Sequence, residues 1–472
     1  MTSILTVDRE IRLLPNVFIV LGGMSLVLWG APFLTPLFFL IISAYALRGP
    51  KESVQALTLL AFLLLFNPGI SRVLDNGGSS LRWIVILAAF VRVCIDSFFN
   101  RAQSPQKLIR PLLLFSFVML VFALLVSFIP VISVLKLITF TVGVGTILTS
   151  FYRTAHLKNY WISWFLSLYL FVVLASLPFY GTRLGYFRNG QGFQGILNHP
   201  QVFGPFVAVI AAFLTGLFIF HRNRSLPVLV GMLLGWLSIY TSLARTALLM
   251  AAGSLILSTL LGLYIKPAWR MAVKNLFSGV GIGLIGLFLS IMVLYGPQMI
   301  DTATRFLLKD DKGTGKIETL DASFQDSRGF LINQQMENFK NSPITGIGFG
   351  VPSLPEKLRI ETEGFLELPA SASTEKGFMP SAVLEETGIV GAFLVIVFLA
   401  ALIRSIYRHA SITGFILLVA CLLVNFGEMV FFSLGGVGLY YWLMIGLSFN
   451  LSLPTKPNQP VHTSAVPPLK RF

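Results

Sequence analysis

QVFGPFVAVIAAFLTGLFIFHRNRSLPVLVGMLLGWLSIYTSLARTALLMAAGSLILSTLLGLYI, residues 201–265, is three apolar runs separated by two short polar breaks. About 20 helical residues cross a hydrocarbon core of about 30 Å, so each run is a candidate span. The first break, HRNR at 221–224, is basic, and the second holds one cation, Arg245. Basic short loops stay on the cytoplasmic side, so 201–220, 226–243 and 246–265 read as three spans with HRNR inside.

The same pattern extends in both directions. Spans read at 15–31, 33–47, 54–70, 81–99, 111–129, 131–151, 160–178, 276–296, 383–403, 411–430 and 437–453 complete the set, with the short first two able to form a re-entrant pair. With the N-terminus inside, nineteen Lys and Arg fall in cytoplasmic segments, among them Arg48, Arg153, Lys266 and Arg408, and five in short external loops: Arg72, Arg82, Arg183, Arg188 and Arg245. Both termini are therefore expected in the cytoplasm. The expected fold is an all-α polytopic integral membrane protein, with about 12–14 transmembrane helices and one large periplasmic loop containing amphipathic helices.

Composition agrees. Hydrophobic residues make up 55% of the 472, charged residues 12%, and mean hydropathy is +0.80. A soluble domain carries about 25% charged residues. The 42 phenylalanines suit a lipid-facing surface. The formal charge of +15 is mostly the insertion signal, and no nucleic-acid partner is expected. Met1–Arg12 is mixed-charge, so no cleavable signal is expected. Cys94 and Cys421 lie inside spans and read as unpaired.

The chain divides into N-terminal spans (1–180), a periplasmic loop (181–200), central spans (201–296), a large periplasmic loop (297–382), C-terminal spans (383–453) and a Pro-rich disordered cytoplasmic tail (454–472). Between Pro297 and Pro380 there are nine Lys/Arg and twelve Asp/Glu, so this loop is acidic in a basic chain. Within it, RGFLINQQMENFK (Arg328–Lys340) places Ile332, Met336 and Phe339 at helical spacing, which predicts an amphipathic helix at the membrane surface or packed on the bundle. SPITGIGFG (342–350) follows: Pro343 stops the helix and Gly346, Gly348 and Gly350 permit a tight backbone path. Loops of this length with a helix of their own are usually functional.

Ionisable residues at membrane depth are functional candidates, because an unpaired charge there costs at least about 2.5–3.5 kcal/mol. Arg92 and Asp96, at i and i+4, read as a structural ion pair; Lys136 reads as snorkelling or paired within the bundle, and Glu428 as structural or cavity-lining. Arg245 is held between two spans by a short connection, and its planar fork of donors suits a phosphate. Arg328 opens the amphipathic helix and faces the same compartment, so the two form a candidate diphosphate clamp. Glu375, Lys376, Glu385 and Glu386 cluster in STEKGFMPSAVLEETGIVGA (373–392). Glu386 reads either as a carboxylate that orients an acceptor hydroxyl or acts as a general base, or as a charge favoured at a helix N-terminus. Of five histidines, only His199 is external, capping a span start beside Pro200. No metal or nucleotide motif is present, so no cofactor is expected.

From Gly195 to Gly391 the chain resembles the O-antigen ligase/polymerase superfamily, the membrane glycan polymerases and ligases of the Wzy and WaaL type. NHPQVFG (198–204) resembles the family's (H)PN-like start of a span, and TSLARTALL (241–249) its SR-x-A motif. Arg328 through PITGIGFG resembles the R…P-L-x-G-V-G-x-G element, and LEETGIVGAFL (384–394) the E-x-G-I-x-G stretch. The resemblance implies a metal-independent periplasmic transferase in a bacterial inner membrane, moving glycan from a polyprenyl-diphosphate carrier to an acceptor hydroxyl on a glycan or lipid. It assigns diphosphate contact to Arg245 and Arg328. Membrane lipids and polysaccharide assembly or export proteins are the other partners it implies.

Three departures stand out. Gly377 occupies the position, eleven before Gly388, where family ligases place a histidine. Glu375 beside Lys376 replaces it as base, or His199 approaches from the other loop, or leaving-group stabilisation carries catalysis, or activity is lost. Gln201 stands for the usual Asn, and Ala244 for the usual Ser. These changes favour a divergent capsule or exopolysaccharide polymerase over a lipopolysaccharide ligase. A lipid-linked glycan or solute transporter, and a non-catalytic partner of a polysaccharide assembly machine, are the alternatives.

Overall fold

The computed structural model describes residues 13–71, 73, 79–188, 190–221, 225–277, 279, 329–354, 362–363, 368–369 and 376–454. The expected span at 276–296, the tail beyond 454 and much of the large loop, including Arg328 and Glu375, lie outside the described residues.

The described chain is helical throughout, with extended pairing confined to Thr362–Glu363 against Leu368–Pro369 and a bridge between Phe66 and Leu197. In chain order the helices are α1 (Leu14–Gly30), α2 (Thr35–Ala46), α3 (Pro50–Leu64), α4 (Ser79–Phe98), α5 (Gln106–Leu125), α6 (Pro130–Arg153), α7 (Lys158–Ser176), α8 (Pro200–Phe220), α9 (Leu226–Thr241), α10 (Arg245–Tyr264), α11 (Pro267–Lys274), α12 (Phe330–Asn341), α13 (Met379–His409), α14 (Ile412–Leu423) and α15 (Gly438–Ser452). Proline at the first turn starts many of them, where its missing N–H would have no intrahelical partner.

Six described helices are long and apolar enough to cross a membrane, or seven if a bent pair forms one span. That is fewer than the twelve to fourteen expected from hydropathy. Among the described residues, α1 and the segment Pro32–Ala46 bend by 119° at Ala31, and Leu226–Thr241 and Ile412–Phe426 are apolar but short, while the expected span at 276–296 lies outside them. The bent pair forms either one broken span or a re-entrant pair.

The most enclosed of the six is α8, with 83% of its apolar window buried, and the least is α13 with 28%. Lipid-length apolar sequence therefore serves as core in one and as outer surface in the other. Phenylalanine does both jobs. Phe33, Phe98 and Phe117 are exposed, but Phe115, Phe140, Phe349 and Phe432 are buried against one another, with Phe140 and Phe432 ring centres 4.9 Å apart. Such pairs add about 0.5–1.5 kcal/mol beyond area burial.

Inter-helix segments meet at two ends of the bundle. At one, Arg153 reaches Asp96 (3.7 Å) and the Val93 carbonyl (3.1 Å), Lys158 donates to the Leu451 carbonyl (3.1 Å), and Lys266 donates to the carbonyls of Tyr407 and Ala410. Arg92 and Asp96 form the expected ion pair at 2.6 Å. At the other end, buried Asn67 donates to the carbonyls of Leu184 and Gly195, Arg82 to Gly435, and the Phe128 N–H to Ile347. The signature segments gather here.

Candidate functional site

The centre of this second end is a break in α13. Gly388 has φ +61°, a left-handed conformation that an L side chain rarely adopts, and it divides the helix. A helix interrupted in an apolar setting exposes carbonyls on one side and N–H groups on the other, and each needs a partner. SPITGIGFG supplies both. The N–H groups of Ile347 and Gly348 donate to the Glu385 and Glu386 carbonyls (2.9 and 3.1 Å), while those of Ile389 and Val390 donate to the Pro343 and Ile344 carbonyls (2.9 and 3.4 Å). The close approach requires glycine on both strands of the contact: a Cβ on Gly346 would lie 2.5 Å from the Glu386 carbonyl carbon, and one on Gly388 2.3 Å from that of Ile344.

The break turns two acidic side chains inward. Glu385 and Glu386 are 0% and 1% exposed. Lys376, itself 3% exposed, places Nζ 2.8 Å from Glu385 Oε2 and 3.2 Å from Glu386 Oε1. Lys136 on α6 approaches Glu386 Oε1 at 3.8 Å, and the Gly350 N–H donates to Glu386 Oε2 (2.7 Å). Asn338 donates to Glu385 Oε1 (2.6 Å) and Ser353 to its Oε2 (3.0 Å). Two lysines thus face two carboxylates, with the Gly350 N–H, the Asn338 amide and the Ser353 hydroxyl donating to the other oxygens, while Glu386 Oε1 meets only the two ammonium groups. Buried charges persist only when paired and hydrogen-bonded in this way. The arrangement fixes both carboxylates in place.

The amphipathic helix lies where the hydrophobic spacing puts it but packs by a different face. In α12 the most buried residue is Gln335, which donates to the Lys376 carbonyl (2.8 Å) and accepts from Ser381 (2.5 Å), while Ile332, Met336 and Phe339 are only half-buried. A polar seam of Gln335 and Asn338 therefore docks the helix on the start of α13. Hydropathy alone reads both residues as solvent-facing.

His199 is the N-cap of α8, and its Nδ1 accepts from the Gln201 N–H at 3.1 Å. Arg245 is the first residue of α10 and is half-buried. Their segments touch: a Cβ on Gly204 would lie 2.4 Å from Ser242 Oγ and 2.8 Å from the Ala244 methyl, and the Phe193 N–H donates to the Thr241 carbonyl (2.9 Å). Thus NHPQVFG packs on TSLARTALL, as SPITGIGFG packs on LEETGIVGAFL. The stretch between α14 and α15 joins the two pairs, with Gly427 against Thr246 and the Phe426 ring 5.8 Å from Phe378.

The same stretch closes a half-open cavity of about 210 Å³ beside Lys136, lined also by Arg82, Trp83, Thr139 and Phe432. Neither His199 nor Arg245 is among its lining residues. This cavity had no sequence signal, because its walls come from α4, α6 and the 432–436 turn, far apart in the chain.

No protein-family model matches the chain, and no curated protein matches it.

Proposed function

We propose that the chain is a glycan transferase or polymerase of the inner membrane, working on the periplasmic side with both termini in the cytoplasm. It takes glycan from a polyprenyl-diphosphate carrier and passes it to an acceptor hydroxyl during surface-polysaccharide assembly. The observation that supports this most is the pairwise packing of the four signature segments, which share one end of the bundle although they span residues 198–394. Arg245 and Arg328 hold the leaving diphosphate, whose growing negative charge their charge-assisted bonds stabilise. Glu375 or His199 accepts the acceptor's proton; Glu386, held by two lysines and a backbone N–H, is better placed to anchor the loop than to take a proton.

The test is replacement of Arg245 and Arg328 singly by Ala in the native host, with surface-glycan length and amount as the readout. Loss of polymer at normal protein levels supports the reading. Unchanged polymer from both variants refutes the clamp.

One observation favours the transporter as a second reading. A broken helix next to buried ionisable residues is the usual site architecture of secondary transporters. The break at Gly388, however, lies nine residues into a 31-residue helix, and its free backbone groups are already bonded to 343–348. A transporter would move glycan or solute across sealed vesicles without releasing polyprenyl diphosphate.

A further inference from the structure

α11 has eight residues, too few to cross a bilayer, and it is fastened across the end of the bundle where Lys266 meets the last carbonyls of α13. Its inner face is Trp269 and Val273, one turn apart and both buried. Gly262 of α10 lets that face close in, because a Cβ there would lie 2.8 Å from Val273 Cγ2. Trp269 Nε1 donates to the Ala410 carbonyl (3.0 Å), and just beyond the helix Asn275 donates to the Phe220 carbonyl (2.7 Å). Anchored at both ends, the helix has a fixed outer face as well. Arg270 and Lys274, at i and i+4, are exposed on that face, and Met271 between them is 81% exposed. Neither cation makes a hydrogen bond or ion pair among the described residues. Tyr264 and Ile265, where α10 ends, are exposed beside them, and the end of α13 adds exposed Arg404 and Arg408. No Asp or Glu occurs in residues 201–300 or 387–427, the stretches that build this corner.

Two cations flanking a large exposed apolar side chain, at the end of a membrane-length helix, fit neither water nor hydrocarbon alone. They suit the headgroup layer, where Met271 and Ile265 reach the first methylenes and Arg270 and Lys274 meet phosphate oxygens. A corner without acidic residues is complementary to anionic lipid, with about fivefold in binding for each cation near the surface. We propose that α11 is an in-plane docking face for an anionic phospholipid of the surrounding bilayer, with Arg270 and Lys274 on the headgroup phosphate and Met271 at the acyl boundary. The proposal is independent of the transferase reading, since it uses neither Arg245 nor Arg328.

The test uses the full chain in phosphatidylcholine nanodiscs. Cys94→Ala removes the exposed cysteine, Cys421 is buried, and Met271→Cys carries a bimane label on the outer face of α11. Spin-labelled phosphatidylglycerol or spin-labelled phosphatidylcholine is added at rising mole fraction while quenching of the label is recorded. Phosphatidylglycerol is expected to reach half-maximal quenching at a mole fraction at least about fivefold lower than phosphatidylcholine. Arg270→Gln is expected to cut that preference at least about threefold, and Arg48→Gln, an exposed arginine between α2 and α3, to leave it unchanged. Both substitutions are at exposed positions, and unfolding midpoints check that each protein is folded. Equal quenching by the two lipids overturns the proposal, because the face then has no preference for an anion. An equal loss from Arg48→Gln and Arg270→Gln overturns it too, because the preference is then a matter of net charge and not of α11. Should the labelled protein be unstable, native mass spectrometry counts the phosphatidylglycerol and phosphatidylcholine retained by the unlabelled chain, and the same comparisons decide.

Discussion

Lys376 Nζ stands 2.8 Å from Glu385 Oε2, with both side chains almost wholly buried, and this contact ties the end of the polar loop to the start of α13. Removing one partner of a buried pair strands the other charge, at about 3–5 kcal/mol. Lys376→Met is accordingly expected to lower the unfolding midpoint sharply. Lys376→Met combined with Glu385→Gln is expected to recover part of that loss, so that the two single effects sum to more than the double. A strictly additive result in a double-mutant cycle would show that the pair carries no coupling.

Lys136 offers a graded comparison. It is farther from Glu386 than Lys376 is, and its side chain is the more exposed of the two. Lys136→Met is expected to destabilise less than Lys376→Met in the same unfolding assay. The reverse order would mean that Lys136, rather than Lys376, is the main counter-charge of Glu386.

Gly388→Ala is expected to abolish or severely reduce folded protein. Its backbone sits at φ +61° and the new methyl would meet Ile344 backbone at 2.3 Å; strain of this kind costs about 1–3 kcal/mol before any clash. Gly145→Ala is the matched control, because that glycine is interior to α6 and nothing lies within 4 Å of a Cβ there. It is expected to be neutral or to stabilise by up to about 1 kcal/mol. Detergent-extracted yield and size-exclusion profile read both.

His199 separates a cap from a catalyst. As an N-cap its replacement by Ala is expected to cost about 0.5–2 kcal/mol, and replacement by Asn, a preferred cap, little. If capping is its whole role, His199→Asn keeps normal surface glycan. Loss of glycan in a stable His199→Asn protein would instead place the imidazole in proton transfer.

Much of the fold was readable because its signals are local. The apolar runs, the Arg92–Asp96 pair at i and i+4, the His199 cap and the glycine-rich path of SPITGIGFG each depend on residues within a few positions of one another. The lengths of the helices were less so, since hydropathy shows neither the 119° bend at Ala31 nor the end of α14 at Leu423. At the site, the cluster of Lys376, Glu385 and Glu386 was visible as composition, but its pairing was not. The roles of Gln335 and Asn338 were not legible: a helical wheel assigns amides to solvent, whereas here they satisfy a carbonyl 41 residues away and a carboxylate 47 away. The partners of a broken helix are likewise fixed by chain that lies far from it in sequence.

The most direct test of a transferase is turnover by the purified chain. Reconstituted into nanodiscs with polyprenyl-diphosphate-linked glycan extracted from host membranes, the wild type is expected to release polyprenyl diphosphate while the acceptor glycan lengthens, and a stable Arg245→Ala protein is expected to lose at least about a hundredfold of that rate, the scale seen when one transition-state donor is removed. Absence of release by a folded wild-type protein, or equal release by wild type and Arg245→Ala, would contradict the account.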